Sequence, residues 1–275
     1  MSDQPDNIVI RAHGVVNRFG AQTVHDGIDL EVRRGEVLGI VGGSGTGKSV
    51  LLRTLIGLQR PVAGQIEVLG RDILHLREAE QRELEQHFGV LFQDGALFSS
   101  LTVAQNIEVP LREHCNLQES LMAEIAATKI AMVGLPEEAG DKYPSQLSGG
   151  MRKRSGLARS LALDPEILFL DEPTAGLDPI AAAAFDRLIG DLKAGLGLTV
   201  VMATHDLDTL FAICDRVAVL VDKKIRVGTL AEHLQDPHPW IRAYFHGPRG
   251  RAALNGTDPQ HSAIDLPSES LAGLA

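Results

Sequence analysis

Residues 36–49 read EVLGIVGGSGTGKS, an apolar run that stops at a glycine-rich loop closed by a lysine and a hydroxyl. The run 36–41 predicts a strand, and the periodic VLLRTLIGL after Ser49 predicts a helix. Between them Gly42, Gly43, Ser44, Gly45, Thr46, Gly47, Lys48 and Ser49 fit GxxxxGK[ST] in the context that pattern requires, strand before and helix after. The glycines let the backbone curl so that its N–H groups and the helix N-terminus face an anion. Lys48 is then expected to neutralise the β- and γ-phosphates of a nucleotide, and the Ser49 hydroxyl to ligate Mg²⁺.

A nucleotide site also needs a carboxylate for the metal and a group to activate water. The run ILFLDEP at 167–173 supplies both, because four apolar residues predict a fully buried parallel strand with Asp171 and Glu172 emerging at its C-terminal end. Neighbouring residues at a strand end point in different directions, so Asp171 is assigned to the Mg²⁺ shell and Glu172 to the general base. The next apolar strand, LTVVMA at 198–203, ends in Thr204-His205. A histidine there can hydrogen-bond a γ-phosphate.

Around these pieces the chain alternates short apolar runs with longer periodic segments, the pattern of an α/β sheet with crossover helices. Strands are predicted at 7–12, 28–32, 36–41, 65–69, 88–92, 166–170, 198–203 and 216–221, the early ones antiparallel and the later ones parallel. Within 116–134, Leu121, Ile125, Thr128 and Met132 recur at helical spacing and predict one buried stripe on an inserted helical block. The charged stretch 76–87, with Glu78 and Arg82 one turn apart, reads as a solvated helix face. From His246 the composition turns to Gly, Pro and polar residues, so 246–275 is expected to be a flexible tail, with Ile264, Leu266, Leu271 and Leu274 as anchors.

Composition narrows the function classes. At 275 residues and 44% hydrophobic the chain can bury a large core. A formal charge of −10 with 4% aromatic residues disfavours a surface that grips nucleic acid. Cys115 and Cys214 stand far apart without a metal-binding spacing and read as reduced structural thiols. The first residues, MSDQPDNIVI, lack the basic end and apolar core of a secretory leader. No run approaches the roughly 18 apolar residues of a spanning helix, so a membrane role would need another chain to do the spanning.

Residues 147–154 read LSGGMRKR and open a predicted helix. Ser-Gly-Gly at a helix start is a second anion-binding device, which suggests a nucleotide held between two copies of the chain. With this motif the sequence resembles the ATP-binding-cassette (ABC) ATPases over residues 7–235. The resemblance implies a P-loop NTPase core with an antiparallel β subdomain and an inserted helical subdomain at about 97–163, all within an ATPase domain of residues 1–245. Carried over position by position, Gly42 to Ser49 look like the Walker A loop, and Asp171 and Glu172 like Walker B. Gln93 looks like the Q-loop glutamine that meets Mg²⁺ and the attacking water, and Ser148, Gly149 and Gly150 like the signature that caps the partner's ATP. Asp178 looks like the D-loop aspartate, His205 like the switch histidine, and Phe19 like the aromatic that stacks on adenine. Met151 departs from the family's usual Gln, while the phosphate-facing Ser and glycines are intact. The run Arg152-Lys153-Arg154 is read as a solvated helix face.

The segment LFQDGALFSSLTVAQNI (91–107) with PLREH (110–114) and DKKI (222–225) is similar to the ATPase subunit of Mla-type phospholipid transporters. That resemblance implies a permease partner meeting Ala96, Leu97 and Phe98 beyond a turn at Gly95. It also implies an MCE-domain lipid-binding protein, a STAS-domain protein near the tail, and a peripheral position on the cytoplasmic face of the inner membrane. The expected function is ATP hydrolysis that drives phospholipid transport, with ATP and Mg²⁺ as cofactors and a second copy of the chain as partner. The alternatives are an ABC ATPase for an amino acid, anion or drug, or a soluble non-transport ABC ATPase. The soluble alternative is disfavoured by the single cassette and the absence of a long heptad insertion.

Overall fold

The computed structural model describes residues 7–93, 95–247 and 250. Ile8–Phe19 (β1) and Gln22–Arg33 (β2) form a long antiparallel hairpin, extended on the other edge of β1 by Ala63–Val68 (β4) and Arg71–Asp72 (β5), in the order β2-β1-β4-β5. The second sheet comprises Val37–Gly42 (β3), Phe88–Leu91 (β6), Ile167–Asp171 (β7), Thr199–Ala203 (β8), Arg216–Val221 (β9) and Lys224–Gly228 (β10). Its order is β10-β9-β3-β8-β7-β6, parallel except where β10 turns back antiparallel on β9.

Two strand expectations are corrected. The strand at 36–41, expected among the early antiparallel ones, does not continue that series, because β3 crosses into the centre of the parallel sheet between β8 and β9. Every residue of β3 is buried, which suits a strand covered on both faces. The first hairpin is also longer than predicted. Its pairing shifts register between Ala12 and Val15 and again between Asn17 and Arg18, so the alternation that marks a strand is interrupted beyond residue 12.

The helices are Lys48–Leu55 (α1), Glu78–Glu85 (α2), Val103–His114 (α3), Glu119–Met132 (α4), Gly149–Ser160 (α5), Pro179–Leu196 (α6), Leu207–Ile213 (α7), Leu230–Gln235 (α8) and Pro239–Phe245 (α9). As expected, α2 is solvated, with Arg82 Nη2 bonded to Glu78 Oε1 at 2.6 Å. In α4 the buried stripe is rotated from the one predicted. Met122, Ala126 and Ile130, with Val133 just beyond, face the core, whereas Leu121 is 44% exposed and Thr128 is exposed. Ile125 and Met132 pack at the margin of that core. The helix carries apolar residues on several sides, so spacing alone does not select the face.

Alternate residues of the parallel strands feed opposite cores. Leu168, Leu170, Val200 and Met202 pack with α3, α4, α5 and α6 on one face. Ile167, Phe169, Val201 and Ala203 pack with α1 and the antiparallel sheet on the other. The helical block between β6 and β7 thus shares its core with the sheet. A third cluster seats Leu207, Leu210, Ile241 and Phe245 against Val217, Val219 and Val221 of β9. Of the predicted tail, His246 is tied back by its Nε2, which donates to the Leu234 carbonyl at 2.7 Å. Ile264, Leu266, Leu271 and Leu274 lie outside the described residues. Among the described residues no helix is long and apolar enough to cross a membrane.

Candidate nucleotide site

β3 delivers the loop 42–47 to the C-terminal edge of the sheet, where ligands collect in such folds. Within it the Thr46 N–H and hydroxyl both donate to the Gly43 carbonyl, at 3.3 and 2.9 Å. Ser44 and Gly45 form the exposed crest. Gly47 must be glycine on two counts. Its φ is +96°, and a Cβ there would lie 2.4 Å from Val24 Cγ1 and 2.6 Å from His25 Nε2. The β1–β2 hairpin therefore presses on the loop, and Asn17 locks it there. Asn17 Nδ2 donates to His25 Nδ1 at 3.0 Å and to Thr54 Oγ1 of α1 at 3.1 Å. Lys48 begins α1, and its Nζ donates to the Gly42 carbonyl at 3.1 Å.

The predicted acidic pair stands beside this loop. Ser49 Oγ donates to Asp171 Oδ1 at 2.9 Å, bringing two hard oxygen atoms together at the start of α1. Two such donors suit Mg²⁺, which takes its remaining ligands from phosphate and water. Glu172 has φ +50°, a left-handed conformation that costs a non-glycine residue about 1 kcal/mol or more. The bonds around it hold that conformation. Its N–H donates to the Ala203 carbonyl at 2.8 Å, and its own carbonyl accepts from Lys153 Nζ at 3.0 Å. The kink sends the side chain toward Lys48, whose Nζ lies 4.0 Å from Oε1, while His205 Nδ1 donates to Oε2 at 2.6 Å. Ser49 thus touches Asp171, and Glu172 touches both Lys48 and His205, with chain adjacency at 48–49 and 171–172 joining the two sets.

Gln93 enters this set through its main chain. Its side chain is exposed, and its carbonyl accepts from Lys153 Nζ, the same ammonium that holds the Glu172 carbonyl. This corrects the reading of the basic run. Arg152 is solvated, but Lys153 is buried, and Arg154 Nη1 donates to the Val133 carbonyl at 2.5 Å. One turn further along, Arg159 donates to the carbonyls of Ala96 at 2.6 Å and Gly95 at 3.0 Å. Burial pulls its guanidinium below the usual value. α5 can approach the 93–96 turn this closely because position 156 is glycine. A Cβ there would lie 2.7 Å from Leu91 Cδ1 and 3.0 Å from Gly95 Cα. Glycine and serine in the buried face of α5 were the available signal for that approach.

The other expected site residues stay apart from this cluster. Ser148 caps α5, its Oγ accepting from Met151 N–H at 3.2 Å, with Ser148 and Gly149 exposed and Gly150 partly so. Asp178 caps α6 by accepting from the N–H groups of Ile180 and Ala181, both at 3.0 Å. Phe19 is 46% exposed at the end of β1, and Phe98 is 51% exposed beyond the Gly95 turn. Among the described residues no hydrogen bond or ion pair joins Phe19, Ser148, Gly149, Gly150 or Asp178 to the Lys48–Glu172 cluster.

Next to the capped start of α6 lies a cleft of about 460 Å³ lined by Leu177, Asp186, Asp206 and Asp208, among others. Asp186 is buried, with Oδ2 accepting from Thr209 Oγ1 at 2.8 Å and Oδ1 unpartnered among the described residues. Burial, aided by the charges of Asp206 and Asp208, pushes its carboxyl up to about 6.

Comparison with known proteins agrees with this geometry. The family model described as "ABC transporter" matches residues 25–175. The chain is 41% identical over 248 residues to the "Probable ribonucleotide transport ATP-binding protein mkl" of Mycobacterium tuberculosis, covering 89% of this chain and 68% of that one. It is 36% identical over 240 residues to the "Intermembrane phospholipid transport system ATP-binding protein MlaF" of Haemophilus influenzae, covering 87% and 90%. Among solved structures it resembles the dimeric post-hydrolysis state of the ATP-binding cassette MJ0796 bound to ADP and Pi. The TM-score is 0.74 and the identity 28%, over 80% of this chain and 98% of that one.

Proposed function

The chain belongs to the ABC transporter family as an ATP-hydrolysing cassette, and from that premise we propose that it drives phospholipid transport across the cell envelope. Its partners in this reading are a second copy of itself, a separate permease, an MCE-domain lipid-binding protein and a STAS-domain protein. It sits peripherally on the cytoplasmic face of the inner membrane. Residues 1–245 are the ATPase domain, 97–163 its helical subdomain, and 246–275 an appended tail.

The observation that carries the catalytic reading is Glu172, whose two carboxylate oxygens face Lys48 and His205 while its kinked backbone is held by Lys153. Gly42 to Gly47 wrap the phosphates with main-chain N–H groups, and Lys48 turns from the Gly42 carbonyl to the β- and γ-phosphates. Glu172 accepts the proton of the attacking water, and His205 orients that carboxylate and bonds the γ-phosphate. Ser49 and Asp171 would hold Mg²⁺, and the Gln93 side chain would join them by turning in from the neighbouring loop. When bound, the ion would supply charge neutralisation for phosphoryl transfer. Phe19 stacks on adenine. Ser148, Gly149, Gly150 and Asp178 complete the site of the second copy, which explains why they stand exposed and apart.

The phospholipid cargo is supported by the likeness to MlaF, named for intermembrane phospholipid transport and matched over 90% of its length. The stretch around LFQDGALFS, which sets Phe98 on the surface, supports it too. A ribonucleotide cargo is the second reading, favoured by the 41% identity to mkl. Affinity purification of the full chain from its own cells tests the choice. Recovery of an MCE-domain protein supports the lipid reading, and repeated recovery of a permease without one sinks it. Phe98→Asp should release the permease while leaving ATP binding unchanged.

A further inference from the structure

His205 is the most exposed member of the linked cluster, with 64% of its side chain open to solvent. Packing cannot orient so exposed a ring, so its direction depends on what grips its two ends. The ring end is held by Glu172 at 2.6 Å. The main-chain end is held from elsewhere in the chain, by Tyr244 of α9, whose hydroxyl donates to the His205 carbonyl at 3.1 Å. On either side the turn is pinned by Thr204 N–H to the Ile40 carbonyl and by Asp206 N–H to Thr204 Oγ1, both at 3.1 Å.

Tyr244 is suited to that task. Burial, with the negative charges of Asp206 and Glu172 nearby, raises its phenol above the ordinary value, so it remains a proton donor. Its helix is seated firmly. Ile241 and Phe245 are fully buried against β9, and the Phe245 ring stacks on His233 at 5.8 Å. The Tyr244 ring stacks on Trp240 at 4.9 Å and 13°. Trp240 in turn reaches the phosphate loop, since a Cβ on Gly43 would lie 3.6 Å from its Nε1. One short helix therefore touches two walls of the nucleotide site, the loop at Gly43 and the turn at His205.

We propose that Tyr244 is a positioning residue for hydrolysis, its hydroxyl fixing the turn that carries His205 onto Glu172, while Trp240 ties the same helix to the phosphate loop. This inference rests on the reading of Glu172 as the general base.

The test compares Tyr244→Phe with Tyr244→Leu in the full chain, with Glu172→Gln as the reference. Phenylalanine keeps the stack on Trp240 and removes only the donor. Its kcat for ATP is expected to fall about three- to tenfold, the range one neutral hydrogen bond covers, with KM and the unfolding midpoint unchanged. Leucine should be no better. If Tyr244→Phe turns over like wild type and only Tyr244→Leu is impaired, the residue merely packs and the inference falls. A rise in KM together with a lowered midpoint overturns it equally. Trp240 is the only tryptophan in the sequence, and its emission should change when Glu172→Gln protein binds ATP. No change would remove the link to the loop. If Glu172→Gln hydrolyses ATP at the wild-type rate, the general-base reading itself is wrong. An inactive Glu172→Gln with a fully active Tyr244→Phe removes only the role of Tyr244.

Discussion

Two helices of this molecule follow a small N-cap residue, Gly47 at α1 and Ser148 at α5, and they are finished differently. At α1 the chain supplies its own surroundings, with Ser49 bonded to Asp171, Lys48 beside Glu172, and the β1–β2 hairpin pressed against Gly47. At α5, among the described residues, the side-chain hydrogen bond to the helix start is that of the Ser148 cap, and Ser148 and Gly149 face solvent. The electrostatic device is the same in both. The contrast teaches that one chain furnishes one of these helix starts and leaves the other half-built, so in the proposed two-copy arrangement its activity should depend on how many copies meet.

The sharpest way to break this contrast is at the complete end. Glu172→Gln should lower ATP turnover by about 10² to 10⁴ while ATP still binds. Phosphate release and equilibrium binding measure the two sides, and turnover near wild type would dissolve the assignment. Lys48→Ala should weaken ATP binding by about ten- to a hundredfold, the range for a hydrogen bond to a charged group. Retained affinity would show that the loop does not use its lysine.

The half-built end makes the opposite demand. Gly149→Asp places a negative charge at the exposed helix start, and in a Glu172→Gln background it should weaken ATP-driven dimer formation by about tenfold or more. Binding of ATP to a single copy should not change. Sedimentation velocity reads the dimer, and an unaltered dimer would mean that α5 does not face the second copy's nucleotide.

The smallest expected effect concerns Asp186, beside the offered half. Its folded-state value of about 6 lies above the ordinary 3.8, so folding favours the protonated acid. Stability is therefore greatest below pH 4 for this group and declines as pH rises through about 6. Asp186→Asn should remove that decline and stabilise the fold by about 1–2 kcal/mol above pH 7. Urea unfolding at pH 5 and pH 8 measures it, and an unchanged pH dependence would count against the burial argument.

Much of the assembled end was legible because its signals are local. The run EVLGIV announces a strand, Gly42 to Ser49 a phosphate loop, and the halt of ILFL at Asp171 a strand end. What escaped was tertiary. Lys153 sits in a run of three basic residues, and nothing local separates a lysine that points into water from one that reaches two main-chain carbonyls. The hairpin was cut short because its register slips at Gly14, and the α4 stripe was misplaced because apolar residues ring that helix. The bond from Tyr244 to His205 joins residues 39 apart, with no spacing to reveal it.

Lys153 and Arg159 reach the main-chain carbonyls of Gln93, Gly95 and Ala96, an acceptor that every amino acid possesses. Those three bonds do not depend on which side chains follow the turn. Leu97 and Phe98 can therefore change without breaking them, and Phe98 is exposed. Relatives at 41% and 36% identity to this chain carry names as unlike as ribonucleotide and phospholipid transport.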